Sequence, residues 1–432
     1  MKKKTINILM LLAVMATAFQ MTSCSDDDFT ATIFDTNDYP LDRNLYTFPL
    51  DTFVKVNFLE PYNMRFVYKM EYIASDKDKN LTPASYDKSC QLAVLTKYLW
   101  HDVYKDVAAE HDIFLKKFSP RIIHVIGSKN LNTSSGTETL GVTEGNTKVT
   151  LYRTNLLNPD DIADMNEYFF ETMHHEFGHI LDNNTLHPTP FNVLSNGRYN
   201  AAGWNDTPDS VAAAQGFISS YASMSYTEDW VETFARYVTR DSVSLERMFN
   251  TADYEWEVVD LKDKNNDLEV DSADYFSQLT GTFDIDTIGY FKGDESGKGE
   301  HKVYRRVCQR DADDHVVLDA NGQVQWVANL AGARNIINEK IKYVRDYMKT
   351  EYGVDIDELR RKIQTKQFRV DDNGKYLTKV SPVLAYSGGA VYVLRQNEEQ
   401  LNAITYRDPS TGKTQLEQLL EELNEYKKLQ TK

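Results

Sequence analysis

The sequence predicts an α+β protein with a helical, loop-rich C-terminal part, and three observations carry that prediction. Apolar residues recur at helical spacing over 84–118 and again after 159. A strand pattern and a hairpin pattern lie between these stretches, at 121–155. Further amphipathic helical patterns close the chain, over 335–352 and in the last 35 residues.

Each element follows from a local pattern. In 84–118, Leu92, Leu95, Leu99, Val103 and Val107 fall on one helical face. "RIIHVIGS" (121–128) reads as a strand, and "TETLGVTEGNTKVTLYRTN" (137–155) as a hairpin turning near Glu144-Gly145-Asn146. "NPDD" (158–161) opens the next helix, with Asn158 in the cap position and Pro159 in the first turn. That helix carries Ile162, Met165, Phe169 and Met173. A Pro/Asn/Gly-rich connection (185–210) leads to residues 211–240, whose second half is helical. From 251 to 330 the chain turns acidic and loop-rich, with a hairpin signal at Asn321-Gly322. The composition shift places a boundary near 250, separating a domain over 46–250 from a C-terminal region over 251–432.

At 432 residues the chain is long enough for one large or two ordinary domains with real cores. Its first 23 residues stand apart: Lys2 to Lys4, an apolar run from Ile6 to Phe19, then small residues before Cys24. This is the pattern of a secretory signal, too short to span a membrane. "MTSC" resembles a bacterial lipobox, which implies acylation of Cys24 and a tether over 24–45. "SDDD" (25–28) resembles the acidic tag of Bacteroidetes lipoproteins displayed on the cell surface. The expected location is therefore the outer membrane, facing outward, with lipid as the only membrane tie. Loss of the three signal lysines takes the formal charge from −17 to −20. So acidic a chain is a poor partner for nucleic acid, whose phosphates need a basic face. Cys90 and Cys308 could pair in an oxidising compartment.

The stretch "ETMHHEFGHILDNN" (171–184) carries the chemistry. His175-Glu176-Phe177-Gly178-His179 fits H-E-x-x-H. On a helix, residues i and i+4 lie roughly 40° apart, so both imidazoles can face one cation. Neutral imidazole suits Zn2+, and Glu176 then lies where a general base for an attacking water is needed. His174 is turned away by about 100° and reads as a packing or supporting residue. A third protein ligand is still required. The metzincin spacing fails, because position 185 is Thr. His187, Asp182 and the Glu228/Glu232 pair remain open from the residues alone. In that pair one carboxylate can bind metal while the other, a turn away, orients an imidazole. Met224 reads as core.

His175-Glu176-x-x-His179, followed 49 residues later by "EDWVETF", resembles a gluzincin. The run from Phe217 to Phe234 is similar to the equivalent stretch of lethal-factor-type peptidases, including a tyrosine seven residues before the glutamate, here Tyr221. With the lipobox, the chain resembles the Bacteroidetes lipoproteins called substrate import-associated zinc metallohydrolases. The resemblance is strong over 155–240 and looser elsewhere. It implies a zincin-like fold for 46–250, Glu228 as third zinc ligand, Glu232 orienting a liganding histidine, and Tyr221 donating to the developing oxyanion. It also implies hydrolysis of a peptide or related amide, beside a TonB-dependent transporter and its substrate-binding lipoprotein. The competing classes are a nutrient-binding lipoprotein or an adhesin whose zinc is structural, but neither has a use for Glu176. A weaker pattern, "DKNNDLEVDSAD" (263–274), sets Asp263, Asn265, Asp267, Asp271 and Asp274 at calcium-loop spacing. Leu268 stands where the loop wants Gly, so a solvated Asp/Asn-rich loop is the preferred reading over a Ca2+ site.

Overall fold

The computed structural model describes residues 41–70, 79–132, 138–261, 301–387 and 390–430. The signal segment, Cys24, the acidic run at 26–28 and the 263–274 loop lie outside them.

A four-stranded mixed sheet is built from β1 (Arg65–Val67), β2 (Ile122–Val125), β3 (Gly141–Glu144) and β4 (Lys148–Leu151). Its order is β1-β2-β4-β3. The first three neighbours run parallel, and β3 is an antiparallel edge strand on β4. Phe66, Ile123 and Val149 stand in register across the sheet and are all buried. Between β3 and β4, Gly145 and Asn146 both take positive φ, +57° and +56°. Two left-handed residues make a tight hairpin whose twist matches the strands, at the turn the sequence predicts.

Five helices complete the frame around the site: α1 (Tyr86–Thr96), α2 (Glu171–Asn184), α3 (Tyr226–Thr239), α4 (Ala333–Tyr352) and α5 (Ile356–Gln367). The Ser85 hydroxyl caps α1 by accepting from Lys88 N–H, and Leu92, Leu95, Leu99 and Val103 are buried as their spacing predicts. The helix expected over 84–118 is interrupted at Ala108, whose backbone is extended. Ala108 bridges to Val354 and Ala109 N–H donates to the Gly353 carbonyl, so a tertiary pairing overrides local propensity. The expected cap at Asn158 is also displaced. Asn158 closes a turn onto Asp160 N–H, and Asp161 caps the helix by accepting from Asp164 N–H. A π-helical turn at Asn166–Phe170 then leads directly into α2.

One hydrophobic cluster takes residues from both sides of position 250: Trp100, Phe177 and Trp230 with Val344, Tyr347 and Leu359. Beyond 250, Trp256–Leu261 pairs with His301–Arg306, and the Asn321-Gly322 turn is present with Leu318 bridging Val324. Among the described residues of the last 35, only Gln415–Glu425 and the 3₁₀ turn Tyr426–Leu429 are helical. A hairpin of Thr378–Ser387 and Ala390–Gln400 precedes the helix Gln415–Glu425. Cys90 and Cys308 are separate buried thiols. No helix among the described residues is long and apolar enough to cross a membrane.

His101 lies in the same core, 2% exposed, with its ring 4.1 Å from that of Tyr62. Burial, with Lys97 and Lys105 nearby, pulls its pKa from 6.5 to about 3. The unfolded chain takes up a proton below pH 6.5 that the folded chain refuses until about pH 3, so stability falls across that window as the pH drops. His101→Phe should remove this share. Between pH 6.5 and about 5 the variant should gain roughly 1.5 kcal/mol on wild type in urea unfolding. Parallel losses in the two proteins would show that His101 does not exclude the proton.

Candidate metal centre

The site is assembled where α2 and α3 cross. Gly178, inside the H-E-x-x-H motif, makes the crossing close: a Cβ there would sit 3.1 Å from Val231 Cγ1 and 3.4 Å from Phe234 Cδ1. Ser225 starts α3 by accepting from Glu228 N–H at 3.2 Å, which fixes the turn from which the Glu228 carboxylate projects. His175 Nε2 and His179 Nε2 are 3.2 Å apart, and Glu228 Oε2 lies 3.2 Å from the first and 3.4 Å from the second. Ligands around a tetrahedral ion at 2.0–2.1 Å stand about 3.3–3.4 Å from one another, so the triangle has the right edges for zinc.

Protonation supports the same fit. His175 Nδ1 meets the Glu232 carboxylate at 2.8 Å, which places a ring proton on Nδ1 and turns Nε2 toward Glu228 and His179. Glu228 Oε2 is buried and accepts no hydrogen bond. Three ligand-type atoms therefore point into one space. Burial disfavours a charged His175, yet the carboxylates of Glu228 and Glu232 raise its pKa to about 10. Burial likewise opposes charge on Glu228, but His175 and His179 hold it down at about 2. The surroundings ask for a cation.

Glu232, one turn beyond Glu228, orients rather than closes the triangle. Its Oε1 holds His175, and its Oε2 accepts from Ser219 Oγ at 2.6 Å and Arg236 Nε at 3.0 Å. Burial resists its ionisation; Arg236 and His175 outweigh that and keep the carboxyl well below its usual range. Arg236 also reaches Glu171 at 3.1 Å and Asp209 at 2.9 Å.

Glu176 points from α2 toward β3, where the Thr143 hydroxyl donates to its Oε2 at 2.5 Å. The strand can come this near because residue 141 is glycine: a Cβ would lie 2.4 Å from Thr172 Cγ2 and 3.4 Å from Glu176 Oε1. Across the cleft, Tyr221 lies in a 3₁₀ turn, Tyr221–Met224, its ring 5.8 Å from that of His175 and 4.7 Å from that of Trp204. The backbone N–H groups on either side of Tyr221 are tied down, Ser220 to Asp209 Oδ1 and Ala222 to Ser219 Oγ. Burial, then the charges of Glu228 and Glu232, push its pKa up, so its hydroxyl stays protonated. An open cavity is lined by Gly141, His175, Glu176, Trp204 and Tyr221.

The other candidates are engaged elsewhere. His187 uses both ring nitrogens, on Asp182 and Asn192, each at 2.8 Å, and stacks on Trp230 at 4.9 Å. Asp182 is committed to that contact. His174 meets the Tyr104 hydroxyl at 2.8 Å, and burial lowers its pKa to about 3. Among the described residues, His175, His179 and Glu228 form the cluster of potential ligands with mutually close donor atoms. Thr143, Ser219, Asp209 and Arg236 went unnoticed in the sequence. Arg236 alone left a trace, as the i+4 partner of Glu232 on a helix.

In a mixed helix-and-sheet fold, two imidazoles and a carboxylate converge on one point and offer a place for a single metal ion. The chain belongs to the family described as "Putative zinc-binding metallo-peptidase", whose sequence model matches residues 44–357. Among solved structures it is similar to a "putative zinc-binding metallo-peptidase" from Bacteroides caccae, at 25% identity and a TM-score of 0.47. That match covers 73% of this chain and 90% of the other. Among curated proteins the comparison finds no match.

Metal analysis of the purified protein should find close to one zinc per chain. His179→Ala and Glu228→Ala should each lose it, whereas His187→Ala should keep it. Zinc retained by Glu228→Ala and lost from His187→Ala would assign the third ligand wrongly here.

Proposed function

We propose that the protein is a zinc-dependent hydrolase of peptide or related amide bonds, of the gluzincin type, with His175, His179 and Glu228 as ligands. The observation that carries this reading is the triangle of His175, His179 and Glu228 donor atoms, with the Glu176 carboxylate on the histidines' helix held toward an open cleft. Three protein donors suit a catalytic ion better than a structural one, which fills all four positions. A zinc ion held there supplies a Lewis acid for the scissile carbonyl and lowers the pKa of water. Thr143 holds Glu176 by Oε2, leaving Oε1 to take a proton from the attacking water and return it to the leaving amine. Tyr221, kept protonated, donates its hydroxyl to the oxygen on which charge develops. Glu232 holds His175 in the tautomer that presents Nε2.

For its location we infer a lipid anchor at Cys24, an outer-membrane position facing outward, and work beside a TonB-dependent transporter in nutrient import. The signal pattern, "MTSC" and "SDDD" support the anchor and its orientation, and the family resemblance supports the transporter.

Two experiments test these readings. Against a peptide library, Glu176→Gln should keep zinc and fold but lose activity at or beyond the upper end of the 10²–10⁴-fold typical of general-base loss. Tyr221→Phe should lower kcat by roughly 10²-fold with KM nearly unchanged, since its bond strengthens only in the transition state. A cleaved peptide that Glu176→Gln processes at the wild-type rate would dismiss the mechanism.

For the anchor, Cys24→Ala should turn a detergent-extractable membrane protein into a soluble or precursor form. Replacing Asp26, Asp27 and Asp28 by Ala should leave acylation intact and reduce digestion by protease added to whole cells. Unchanged digestion would leave the acidic run as plain linker.

A further inference from the structure

We propose that Lys340, on α4, is a positioning residue for the metal centre and the Tyr221 turn, acting through Asp229 and the Gly216 carbonyl. The inference rests on the zinc reading above. Lys340 and Asp229 are both 0% exposed, with Nζ and Oδ2 2.6 Å apart. The same ammonium donates to the Gly216 carbonyl at 2.8 Å and lies 4.2 Å from the centre of the Phe217 ring. The Tyr199 hydroxyl donates to Asp229 Oδ2 at 3.0 Å.

These contacts join two segments that end at the centre. Asp229 directly follows Glu228 in the first turn of α3. Gly216 opens the stretch that delivers Ser219 to Glu232 and Tyr221 to the cleft. Gly216 has φ +90°, and a Cβ there would meet Ile336 Cγ2 at 2.8 Å. The loop is therefore pressed onto α4 one turn before Lys340.

Stability alone does not explain the pair. Full burial disfavours both charges, and an apolar pair of similar volume is often as stable or more so. What an apolar pair cannot do is tie a carboxylate and a backbone carbonyl to a single point. Lysine does this with three donors on one nitrogen. In this arrangement α4, more than a hundred residues after the motif in sequence, sets the distance between the Glu228 helix and the Tyr221 turn.

The test measures zinc affinity of the full-length protein in detergent, by competition with a chromophoric chelator, beside the melting temperature of the zinc-free form. Wild type is compared with Lys340→Met and with Lys340→Met/Asp229→Asn, in which no buried charge is left unpaired and Tyr199 keeps a partner. The single variant should melt lower. The double variant should recover much of that loss, yet both should bind zinc roughly 10–100-fold more weakly, as when an outer partner of a ligand is removed. A double variant that binds zinc like wild type would overturn the inference while leaving the zinc centre standing. So would failure of both variants to fold, which would make the pair a requirement of the fold itself. Wild type with no zinc affinity would overturn the metal reading and this inference together.

Discussion

Two imidazole nitrogens and a carboxylate oxygen share a space 3.2–3.4 Å across, all three directed inward. On flexible elements these groups would turn outward to water, so the surrounding structure has to hold them. Gly178 brings the α2 backbone against Val231 and Phe234, which sets the reach of Glu228 to the histidines. Glu232 draws the His175 proton to the far side of the ring. Ser225 holds the N–H of Glu228 itself. Every one of these contacts fixes a direction, and together they make the convergence a property of backbone geometry rather than of chance rotamers.

The charges are arranged with the same asymmetry. Arg236 meets Glu232, Glu171 and Asp209, and Arg240 meets Glu171 at 2.8 Å. This cationic layer lies behind Glu232, where it balances the orienting carboxylates. Glu228 instead faces the histidines, and Glu176 leans on a neutral hydroxyl, Thr143. Negative charge is thus met by arginine on the outer side and by imidazole and a hydroxyl on the side of the cleft. A divalent cation would be stabilised on the cleft side, beside Glu228.

Much of this was legible in the sequence because it is local. H-E-x-x-H on a helix, the Gly145-Asn146 turn and the buried stripe from Leu92 to Val103 each depend on spacing within a few residues. The pairing of Glu228 with His175 spans 53 positions and was reached through resemblance, since the residues alone left His187 and Asp182 open. What escaped reading was set by contacts between distant segments. The helix breaks at Ala108 because residues 353–354 pair with it. Thr143 matters because a glycine two residues earlier lets its strand approach α2. Asn158 makes a good cap by type, but its side chain closes a turn one step sooner and leaves the capping to Asp161.

The C-terminal helices show why a motif window understates the site. The shift in composition near 250 suggests a separate part, yet α4 returns to both helices of the candidate site. Its Tyr352 hydroxyl donates to the Leu181 carbonyl at 2.6 Å, and Tyr347 donates to the Thr185 carbonyl. The Leu181 carbonyl also accepts from the Thr185 N–H at 3.0 Å, so both contacts clamp the C-terminal end of α2. The Tyr347 ring meets Trp230, the ring stacked on His187, edge-on at 4.9 Å. About two turns before Tyr347 on the same helix, Lys340 reaches the first turn of α3. A single helix therefore holds the end of α2 and the start of α3. Since each supplies a share of the triangle, a shift of α4 would move the histidines and Glu228 relative to one another. Ligands can be found by pattern; the distance between them is set by residues with no metal-binding chemistry of their own.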